Sequence, residues 1–376
     1  MSRWVLHVDL DQFLAAVEVL RHPDLAGLPV VVGGRGDPTE RGVVSTASYE
    51  ARAHGVGSGM PLRVAARMCP DAVFLPVDKP AYDAASAEVM ATLRALRWAG
   101  DPVDVQVLGW DEAFVGLRPG GDAAPGGEGK GGGPPRHDAD DTQRDPLAFA
   151  EQIRAEVLAE TRLHCSVGIG NNTLQAKIAT DFGKPRGVYR ITDETWFAEM
   201  GERPTRALWG VGRQTEKKLT ALGLDTVAAL AASDVRVLAA ELGPTMGPWY
   251  HRLGRGVGAT TVDPTPWVPR AHGREETFQE DLDDDAAVEE AVRRIARRVV
   301  DDIDAEGRPA ARVAIKVRYR PFFTVTRSLT LPAPSNDPGV LAEAAASLLD
   351  RIERGRPVRL LGVRLEMVDP EVPASE

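Results

Sequence analysis

Residues 4–13 of this chain read WVLHVDLDQF, an apolar run that ends in carboxylates. Residues 4–8 predict a short buried strand, and residues 13–20 predict a helix directly after it. Asp9 and Asp11 therefore stand where a buried strand ends. A carboxylate beside an apolar core is costly unless a cation or hydrogen bonds compensate its charge. This strand end is thus a candidate site, although Asp11 could instead simply cap the helix.

A second pair of carboxylates, Asp111 and Glu112, lies between two further apolar stretches. Alternation over residues 103–107 is typical of a half-buried strand, and residues 113–117 form another short apolar run, so the pair would lie at the turn of a hairpin. Magnesium prefers carboxylate oxygens, and phosphoryl transfer uses such ions, ideally two of them. On spacing alone, ordinary turn acids remain the alternative, because aspartate is common in turns.

The composition argues against several classes of protein. A chain of 376 residues is too long for one ordinary core and predicts several domains. The two cysteines, Cys69 and Cys165, have no CxxC spacing, which argues against a disulfide framework or a zinc site. No apolar run approaches the roughly 20 residues of a membrane span, and the amino terminus does not resemble a signal peptide. We therefore expect a cytoplasmic protein without a membrane contact.

The charge of the chain is unevenly distributed. A net charge of −10 argues against nucleic acid as a partner. Residues 308–330, however, contain six Lys or Arg and no Asp or Glu. With the period of two of a strand, one face of this stretch consists of the cations Arg312, Lys316, Arg318 and Arg320. Four cations with no compensating acid on that face predict contact with a phosphate backbone, and a solvated strand is the alternative.

Five short segments identify a family when they are taken together. They are residues 7–13, 43–52, 111–113, 166–179 and 184–187. In their order and approximate spacing they resemble the Y-family DNA polymerases, and specifically the bacterial DNA polymerase IV (DinB) branch. The resemblance covers residues 1–255 well and the remainder more loosely.

The resemblance implies an α+β multidomain fold in the form of a right hand. It has a palm with a mixed or antiparallel sheet, small fingers, a helical thumb with a helix-hairpin-helix motif, and an α+β little finger. The implied boundaries are 1–12 and 78–184 for the palm, 13–77 for the fingers, 185–255 for the thumb, 256–271 for a linker and 272–370 for the little finger. Twelve of the eighteen residues 119–136 in the palm are Gly or Pro, which predicts a flexible surface loop.

For the carboxylates, the resemblance implies a catalytic set of Asp9, Asp111 and Glu112. Asp9 and Asp111 match metal ligands, and Glu112 matches the catalytic carboxylate at the same metal site. The backbone carbonyl of Leu10 would also face a metal. The implied cofactor is a pair of Mg²⁺ ions, with Mn²⁺ as an alternative. The implied reaction is in-line attack of a primer 3′ hydroxyl on the α-phosphorus of a nucleoside triphosphate.

The resemblance also implies where the incoming nucleotide binds. Residues 46–54 predict a helix, on which Tyr49 and Arg52 share one face because they are three residues apart. Arg52 would grip phosphate oxygens bidentately, and Lys177 would add a point charge from another helix. The alternatives are half-buried packing for Tyr49 and a solvated surface position for Lys177. The implied nucleotide-binding residues are Phe13, Leu14, Thr46, Tyr49, Arg52 and Lys177.

Leu14 departs from the pattern of the family. The family usually has an aromatic residue directly after the phenylalanine at position 13, and that ring excludes a 2′ hydroxyl on the sugar of the incoming nucleotide. Leucine is smaller and is not planar, so we expect weak sugar discrimination and incorporation of ribonucleotides. The alternative is that Leu14 is a packed helix residue and that another group blocks ribose.

Gly210 and Gly212, which precede a predicted helix, resemble the second half of a helix-hairpin-helix motif. Glycine lets the loop backbone approach closely, and N–H groups at the helix start would bind a DNA phosphate without reading sequence. A structural turn is the alternative. With this motif and the basic strand, the implied partners are primer–template DNA, deoxynucleotides and, through Leu14, ribonucleotides.

The resemblance further implies a monomeric translesion polymerase of low fidelity, a mutator in DNA repair and replication. The four domains account for the whole chain, so no proofreading exonuclease is expected. Residues 365–376 contain no obvious sliding-clamp peptide, which leaves clamp binding open. Two other classes compete. A non-catalytic DNA-binding accessory would have lost the metal ligands, and a helix-hairpin-helix repair glycosylase would explain residues 205–225 but not the carboxylates.

Overall fold

The structure of the chain is a computed structural model that describes residues 4–118, 144–353 and 355–370. The predicted loop 119–136 lies outside these residues. The described residues divide into two compact units, one within Met1–Val30, Thr46–Ala53 and Asp78–Pro266 and the other within Val31–Ser45, His54–Val77 and Trp267–Glu376. The four-domain boundaries stay a prediction. Within the described ranges, no helix is both long and apolar enough to cross a membrane.

The strands and helices are numbered separately, each in chain order. The strands are β1 Val5–Leu10, β2 Val30–Val32, β3 Thr46–Ala47, β4 Val73–Leu75, β5 Arg97–Trp98, β6 Asp101–Val107, β7 Glu112–Leu117, β8 Cys165–Gly170, β9 Val188–Ile191, β10 Ala271–Leu282, β11 Ala310–Tyr319, β12 Thr324–Ser335 and β13 Val358–Met367. The helices are α1 Phe13–Arg21, α2 Tyr49–Ala53, α3 Leu62–Met68, α4 Lys79–Ala95, α5 Pro146–Thr161, α6 Thr173–Gly183, α7 Trp196–Met200, α8 Arg213–Ala221, α9 Val227–Ala232, α10 Val235–Leu242, α11 Met246–Gly254, α12 Asp285–Glu306 and α13 Pro338–Ser347.

The largest sheet of the first unit has the strand order β5-β6-β7-β1-β8-β9. Its neighbours are antiparallel except for the parallel pair β8 and β9, so the sheet is mixed, as predicted. β1 lies between β7 and β8, and Val5, Leu6 and Val8 are almost fully buried. The continuous apolar run of β1 therefore reflects its central position in the sheet.

Helix α6 packs closely on β8, and two glycines make this approach possible. A Cβ atom at Gly168 would lie 2.0 Å from the Ala176 carbonyl oxygen, and one at Gly170 would lie 2.5 Å from the Ala176 nitrogen. The absence of side chains at these two glycines lets α6 lie directly against β8, and Lys177 and Thr180 of α6 contact His7 of β1.

Five short helices, α7 to α11, follow β9, and they share one hydrophobic core with α6 and β9. On the side of the five helices this core includes Trp196, Leu219, Leu230 and Tyr250. This helical group lies where the thumb was predicted, and it ends at Gly254. No described strand interrupts it between β9 and β10.

The carboxyl-terminal part of the second unit is an α+β module, as predicted. Its antiparallel sheet has the order β10-β13-β11-β12, and α12 and α13 pack on one face. Val313, Ile315 and Val317 point into this core together with Val292 and Val299 of α12. The other face of the sheet therefore carries the polar residues of the strands.

The predicted helix over residues 46–54 is wrong at its start. Thr46 and Ala47 form β3, in a small sheet of order β3-β2-β4, and α2 begins only at Tyr49. The backbone N–H of Ser48 donates to the carbonyl of Val30. Pairing with a strand distant in sequence therefore overrides the local helical pattern.

Candidate active site

The two acidic segments meet at neighbouring strands of the mixed sheet. Asp9 of β1 lies directly opposite Glu112 of β7 in their antiparallel register. The backbone N–H of Leu10 donates to the carbonyl of Asp111 at 2.8 Å, which ties the end of β1 to the hairpin turn. Three carboxyl groups from remote parts of the sequence, those of Asp9, Asp111 and Glu112, are thus brought to one place.

For two of these carboxyl groups, the neighbouring positive charges do not offset the effect of burial on the pKa. Burial raises the pKa of Asp9, although Lys184 Nζ lies 3.0 Å from Asp9 Oδ1. Burial also raises the pKa of Asp111, and the negative charge of Glu112 adds to this effect. Carboxylates that are disfavoured in their charged form by burial are stabilised by a nearby cation.

Glu112, in contrast, is stabilised in its charged form. Its pKa is lowered to about 2, first by a hydrogen bond with His7 and then by Lys177. Lys177 Nζ donates to Glu112 Oε2, and His7 Nε2 lies 3.3 Å from the same oxygen. Burial lowers the pKa of His7, which favours a neutral ring, and His7 Nε2 also lies 3.3 Å from Lys177 Nζ. Glu112 is therefore ionised throughout the neutral pH range.

The carboxylates suit an Mg²⁺ ion that also binds substrate phosphates and water better than they suit a metal bound by protein ligands alone. Among the described residues, no three His, Cys, Asp or Glu side chains form a ready-made metal centre. Mg²⁺ is usually bound by one or two carboxylates together with substrate phosphates and water. The buried carboxyl groups of Asp9 and Asp111, with their raised pKa values, fit such a partial set of ligands.

Asp11 does not cap α1, which corrects one interpretation of the sequence. Gln12 occupies the N-cap position of that helix. The buried Asp11 carboxylate instead accepts hydrogen bonds from the Tyr49 hydroxyl at 2.6 Å, from Ser166 Oγ at 3.1 Å and from the Arg186 backbone N–H at 2.9 Å. Asp11 therefore holds three segments together beside the candidate site.

The predicted triphosphate ligands on α2 lie next to each other. The Arg52 guanidinium is 5.2 Å from the centre of the Tyr49 ring, and Arg52 Nε donates to the Ala47 carbonyl at 2.8 Å. Burial raises the pKa of Tyr49, so its hydroxyl stays protonated and donates to Asp11. Thr46 lies at the start of β3 and is half-buried.

Phe13 and Leu14, which were predicted to bind the nucleotide, are both packed residues at the start of α1. Phe13 is 2% exposed, and its ring meets the ring of Tyr82 edge to face at 6.4 Å. Leu14 is 5% exposed. Only a small part of the Leu14 side chain is therefore accessible in this structure.

Comparison with known proteins decides the family. Residues 8–181 match the impB/mucB/samB family, and residues 269–375 match the C-terminal domain of that family. The chain is 50% identical over 366 residues to proteins named DNA polymerase IV 2 from Mycobacterium bovis and Mycobacterium tuberculosis, which covers 97% of this chain and 98% of each relative. The chain belongs to the DNA polymerase IV branch of the Y family.

Further relatives agree with this assignment. DNA polymerase IV of Methanoculleus marisnigri is 39% identical over 371 residues, which covers 98% of this chain and 95% of the relative. A solved Y-family DNA polymerase chimera of Dbh and Dpo4 has the same fold, with a TM-score of 0.78 at 23% identity over 98% of this chain and all of the other. As a member of the branch, the protein is a DNA-directed DNA polymerase of the translesion type, which acts on primer–template DNA and deoxynucleotides.

The loop before α8 contains the two glycines of the predicted helix-hairpin-helix motif. Gly210 has a φ of +93°, and a Cβ atom there would lie 2.7 Å from the Trp249 ring. Gly212 is the N-cap residue of α8, and a Cβ atom there would meet no atom within 4 Å. Gly210 is therefore required by packing, whereas the space at Gly212 leaves room for a ligand to approach the helix start.

The predicted basic strand of the polymerase is β11, and its burial alternates as expected. Val313, Ile315, Val317 and Tyr319 are buried, while the intervening cations Arg312, Lys316 and Arg318 lie on the other face, and Arg320 follows the strand. Two of the cations bond to hydroxyls of β12. Arg312 donates to Ser328 at 2.7 Å, and Arg318 donates to Thr324 at 3.0 Å.

The expectation that no acid compensates this face is wrong. Lys316 Nζ lies 2.7 Å from Glu275 Oε1, and Arg320 lies 4.0 Å from Asp281. Glu275 belongs to β10, and it reaches Lys316 across Gly362 of the intervening strand β13. The missing side chain of Gly362 leaves the space for this contact, because a Cβ atom there would lie 2.9 Å from Glu275 Cγ.

The sequence analysis assigned no role to three residues around the candidate site. They are His7 and Lys184, which contact Glu112 and Asp9, and Trp209, whose ring is 5.5 Å from Lys177 Nζ. His7 and Lys184 each stand in one of the five segments that carry the family resemblance, which was the available signal. The local periodicity gives no indication that the Lys184 side chain contacts Asp9 of β1.

Proposed function

We propose that this polymerase performs nucleotidyl transfer with two Mg²⁺ ions at Asp9, Asp111 and Glu112. The observation that carries this proposal is the register of β1 and β7, which sets Asp9 opposite Glu112 next to the hydrogen-bonded turn of Asp111. These three side chains and the Leu10 carbonyl would hold the ions, with Mn²⁺ as an alternative. When bound, such ions activate the primer 3′ hydroxyl and neutralise charge on the departing pyrophosphate.

The chain's own residues bind and orient the nucleotide. Tyr49 is fixed by Asp11, and its ring lies beside Arg52, whose guanidinium would offer paired N–H donors to phosphate oxygens. Thr46 precedes them on the same segment. Lys177 compensates the charge of Glu112 in this structure, and it would add a positive charge near an incoming triphosphate. Positioning of the reacting groups is the main contribution that the protein itself makes to phosphoryl transfer.

We infer that sugar discrimination by this polymerase is weak and that ribonucleotides are incorporated. The support is chemical, because Leu14 follows Phe13 and offers a short aliphatic side chain in place of a planar ring. Because Leu14 is only 5% exposed, its effect on a 2′ hydroxyl would come from a small part of the residue. Phe13 would line the same part of the nucleotide site.

The proposed DNA contacts lie in two separate places. In the first unit, the backbone at Gly212 and the start of α8 would bind a phosphate. In the second unit, the face of β11 with Arg312, Lys316 and Arg318 would follow a phosphate backbone. None of these groups reads a base, which suits a polymerase that takes sequence from the template. Low fidelity without proofreading belongs to the same proposal. So do the boundaries of the palm, fingers, thumb and little finger.

Primer extension with single nucleotides tests the proposed function. The protein should add the deoxynucleotide complementary to the template base, and also the matching ribonucleotide, with Mg²⁺ or Mn²⁺ present. Removal of divalent cations with a chelator should stop the reaction and leave primer–template binding in place. Extension that continues in the chelator, or that ignores the template base, would overturn the proposal.

A further inference from the structure

The loop between β11 and β12 exposes two phenylalanines. Phe322 is 66% exposed and Phe323 is 54% exposed. Phe323 is stacked on Tyr319, with ring centres 6.3 Å apart, and it takes part in the packing of the hairpin. Phe322 is the more exposed of the two rings. Covering an exposed ring of this size would remove apolar surface from water, which is favourable.

Two hydrogen bonds order the backbone of the loop that carries Phe322. The Tyr319 backbone N–H donates to the Phe323 carbonyl at 2.8 Å, which closes the loop. The Arg320 backbone N–H donates to the Pro357 carbonyl at 3.0 Å, which ties the loop to the residues before β13. Because the backbone of the loop is already ordered, binding of a partner at Phe322 costs less conformational entropy than binding to a disordered loop.

The surroundings of Phe322 carry an excess of positive charge. The Arg359 guanidinium lies 5.0 Å from the centre of the Phe322 ring. Burial lowers the pKa of Arg359, and the charges of Arg41, Arg63 and Arg318 lower it further. The acid in this cluster, Asp281, is paired with Arg41 and lies 4.0 Å from Arg320, so one acid faces several arginines. Arginines that destabilise one another's charge are stabilised by an anion.

We propose that Phe322, with Arg320 and Arg359, is a binding site for single-stranded nucleic acid, in which an unpaired base stacks on the ring and the arginines contact phosphates. Aromatic rings on a basic surface are the usual means of binding single strands without sequence preference. A duplex offers only the phosphates, since its bases are already stacked. A protein partner would bury the apolar ring but, unlike a nucleic acid, would not bring a phosphate for each of the surrounding arginines.

Binding of a short oligothymidylate to the full-length protein, followed by fluorescence anisotropy, tests this site. Phe322→Ala should weaken binding about tenfold, which corresponds to about 1.4 kcal/mol and lies within the range for base stacking on an aromatic ring. Phe322→Trp should preserve binding, whereas Phe322→Leu, which keeps an apolar side chain without a ring face, should behave like Phe322→Ala. The control is Val340→Ala, at an exposed apolar residue of α13, and it should have no effect.

A second measurement locates the base directly. Oligothymidylate with 5-iodouracil in place of one thymine should, on irradiation, cross-link to Phe322, as identified by mass spectrometry. Wild-type affinity of Phe322→Ala for the oligonucleotide, wild-type affinity of Phe322→Leu, or an equal loss of binding to a blunt duplex of the same length would overturn the proposal. Loss of stimulation by a sliding clamp, with single-strand binding intact, would also overturn it and point to a protein partner.

The proposed nucleotidyl transfer is tested separately from this site. All three Phe322 variants should extend a primer normally on a template with a single unpaired base. Loss of that extension in every variant would contradict the inference, because it would place Phe322 in general folding or duplex binding.

Discussion

The Tyr49 hydroxyl donates a hydrogen bond of 2.6 Å to Oδ1 of Asp11, two residues after Asp9. The bond joins α2 to the end of β1. Asp11 is only 3% exposed and accepts two further hydrogen bonds, so its position is fixed independently of Tyr49. Arg52 lies beside the Tyr49 ring. The candidate nucleotide ligands are therefore oriented by a carboxylate that does not itself need to touch the nucleotide.

The first prediction concerns this hydrogen bond. Tyr49→Phe should raise the KM for deoxynucleotide about tenfold with a smaller effect on kcat, because a hydrogen bond to a charged group contributes about 1.5–3 kcal/mol. Steady-state single-nucleotide insertion measures both constants. Tyr250→Phe is the matched control, since it removes a hydroxyl that lies 3.1 Å from Thr215 Oγ1 in the helical group α7 to α11. An unchanged KM in Tyr49→Phe would contradict the proposed role.

The second prediction concerns Leu14. Leu14→Phe should increase the ratio of kcat/KM for deoxynucleotide over ribonucleotide by about tenfold or more, equivalent to about 1.4 kcal/mol. Because Leu14 is almost buried, the larger ring should also cost about 1–3 kcal/mol of stability. Leu14→Met is the volume-conserving control and should leave the ratio nearly unchanged. An unaltered ratio in a folded Leu14→Phe protein would assign ribose exclusion to another group.

The third prediction concerns the packing of α6 on β8. Gly168→Ala should destabilise the protein by about 3 kcal/mol or more, because its Cβ atom would lie 2.0 Å from the Ala176 carbonyl. Urea denaturation followed by circular dichroism measures this loss. Gly57→Ala is the control, as a Cβ atom there would meet nothing within 4 Å. Equal stability of the two variants would show that α6 approaches β8 less closely than described.

The fourth prediction concerns the ion pair between Glu275 and Lys316, and it expects a gain in DNA affinity. Glu275→Gln should tighten duplex binding, because it releases Lys316 from an ion pair on the basic face of β11. The slope of log K against log salt concentration should steepen by about 0.9, the value for one additional phosphate contact. Glu343→Gln, which removes an acid paired with Arg293 on α12, is the control. Weaker binding by Glu275→Gln would mean that this face does not contact DNA.

The sequence predicts the parts of the molecule whose signals are local. The apolar run of β1, the alternation of β6 and the alternation of β11 each indicate a strand and its buried side, and the structure has strands at all three places. The position of Asp111 and Glu112 next to the start of β7 follows from the same kind of signal. The order of the domains was predicted from the family resemblance and not from local patterns.

Contacts between distant segments were not predictable in this way. Asp11 meets the Arg186 backbone across 175 residues, and His7 meets Thr180 across 173 residues. The compensation of Lys316 depends on strand order and on the absence of a side chain at Gly362. Neither feature is encoded in the pattern around the residue concerned, so each becomes apparent only when the tertiary structure is known.

The single-turnover rate of templated nucleotide addition tests the central claim most directly. Asp9→Asn, Asp111→Asn and Glu112→Gln should each lower this rate more than about 100-fold, because each removes a charge worth several kcal/mol in the transition state. Primer–template affinity should persist in all three. Glu160→Gln, at an exposed acid of α5, should retain the full rate. A near wild-type rate in any of the three carboxylate variants would contradict the assignment of catalysis to this site.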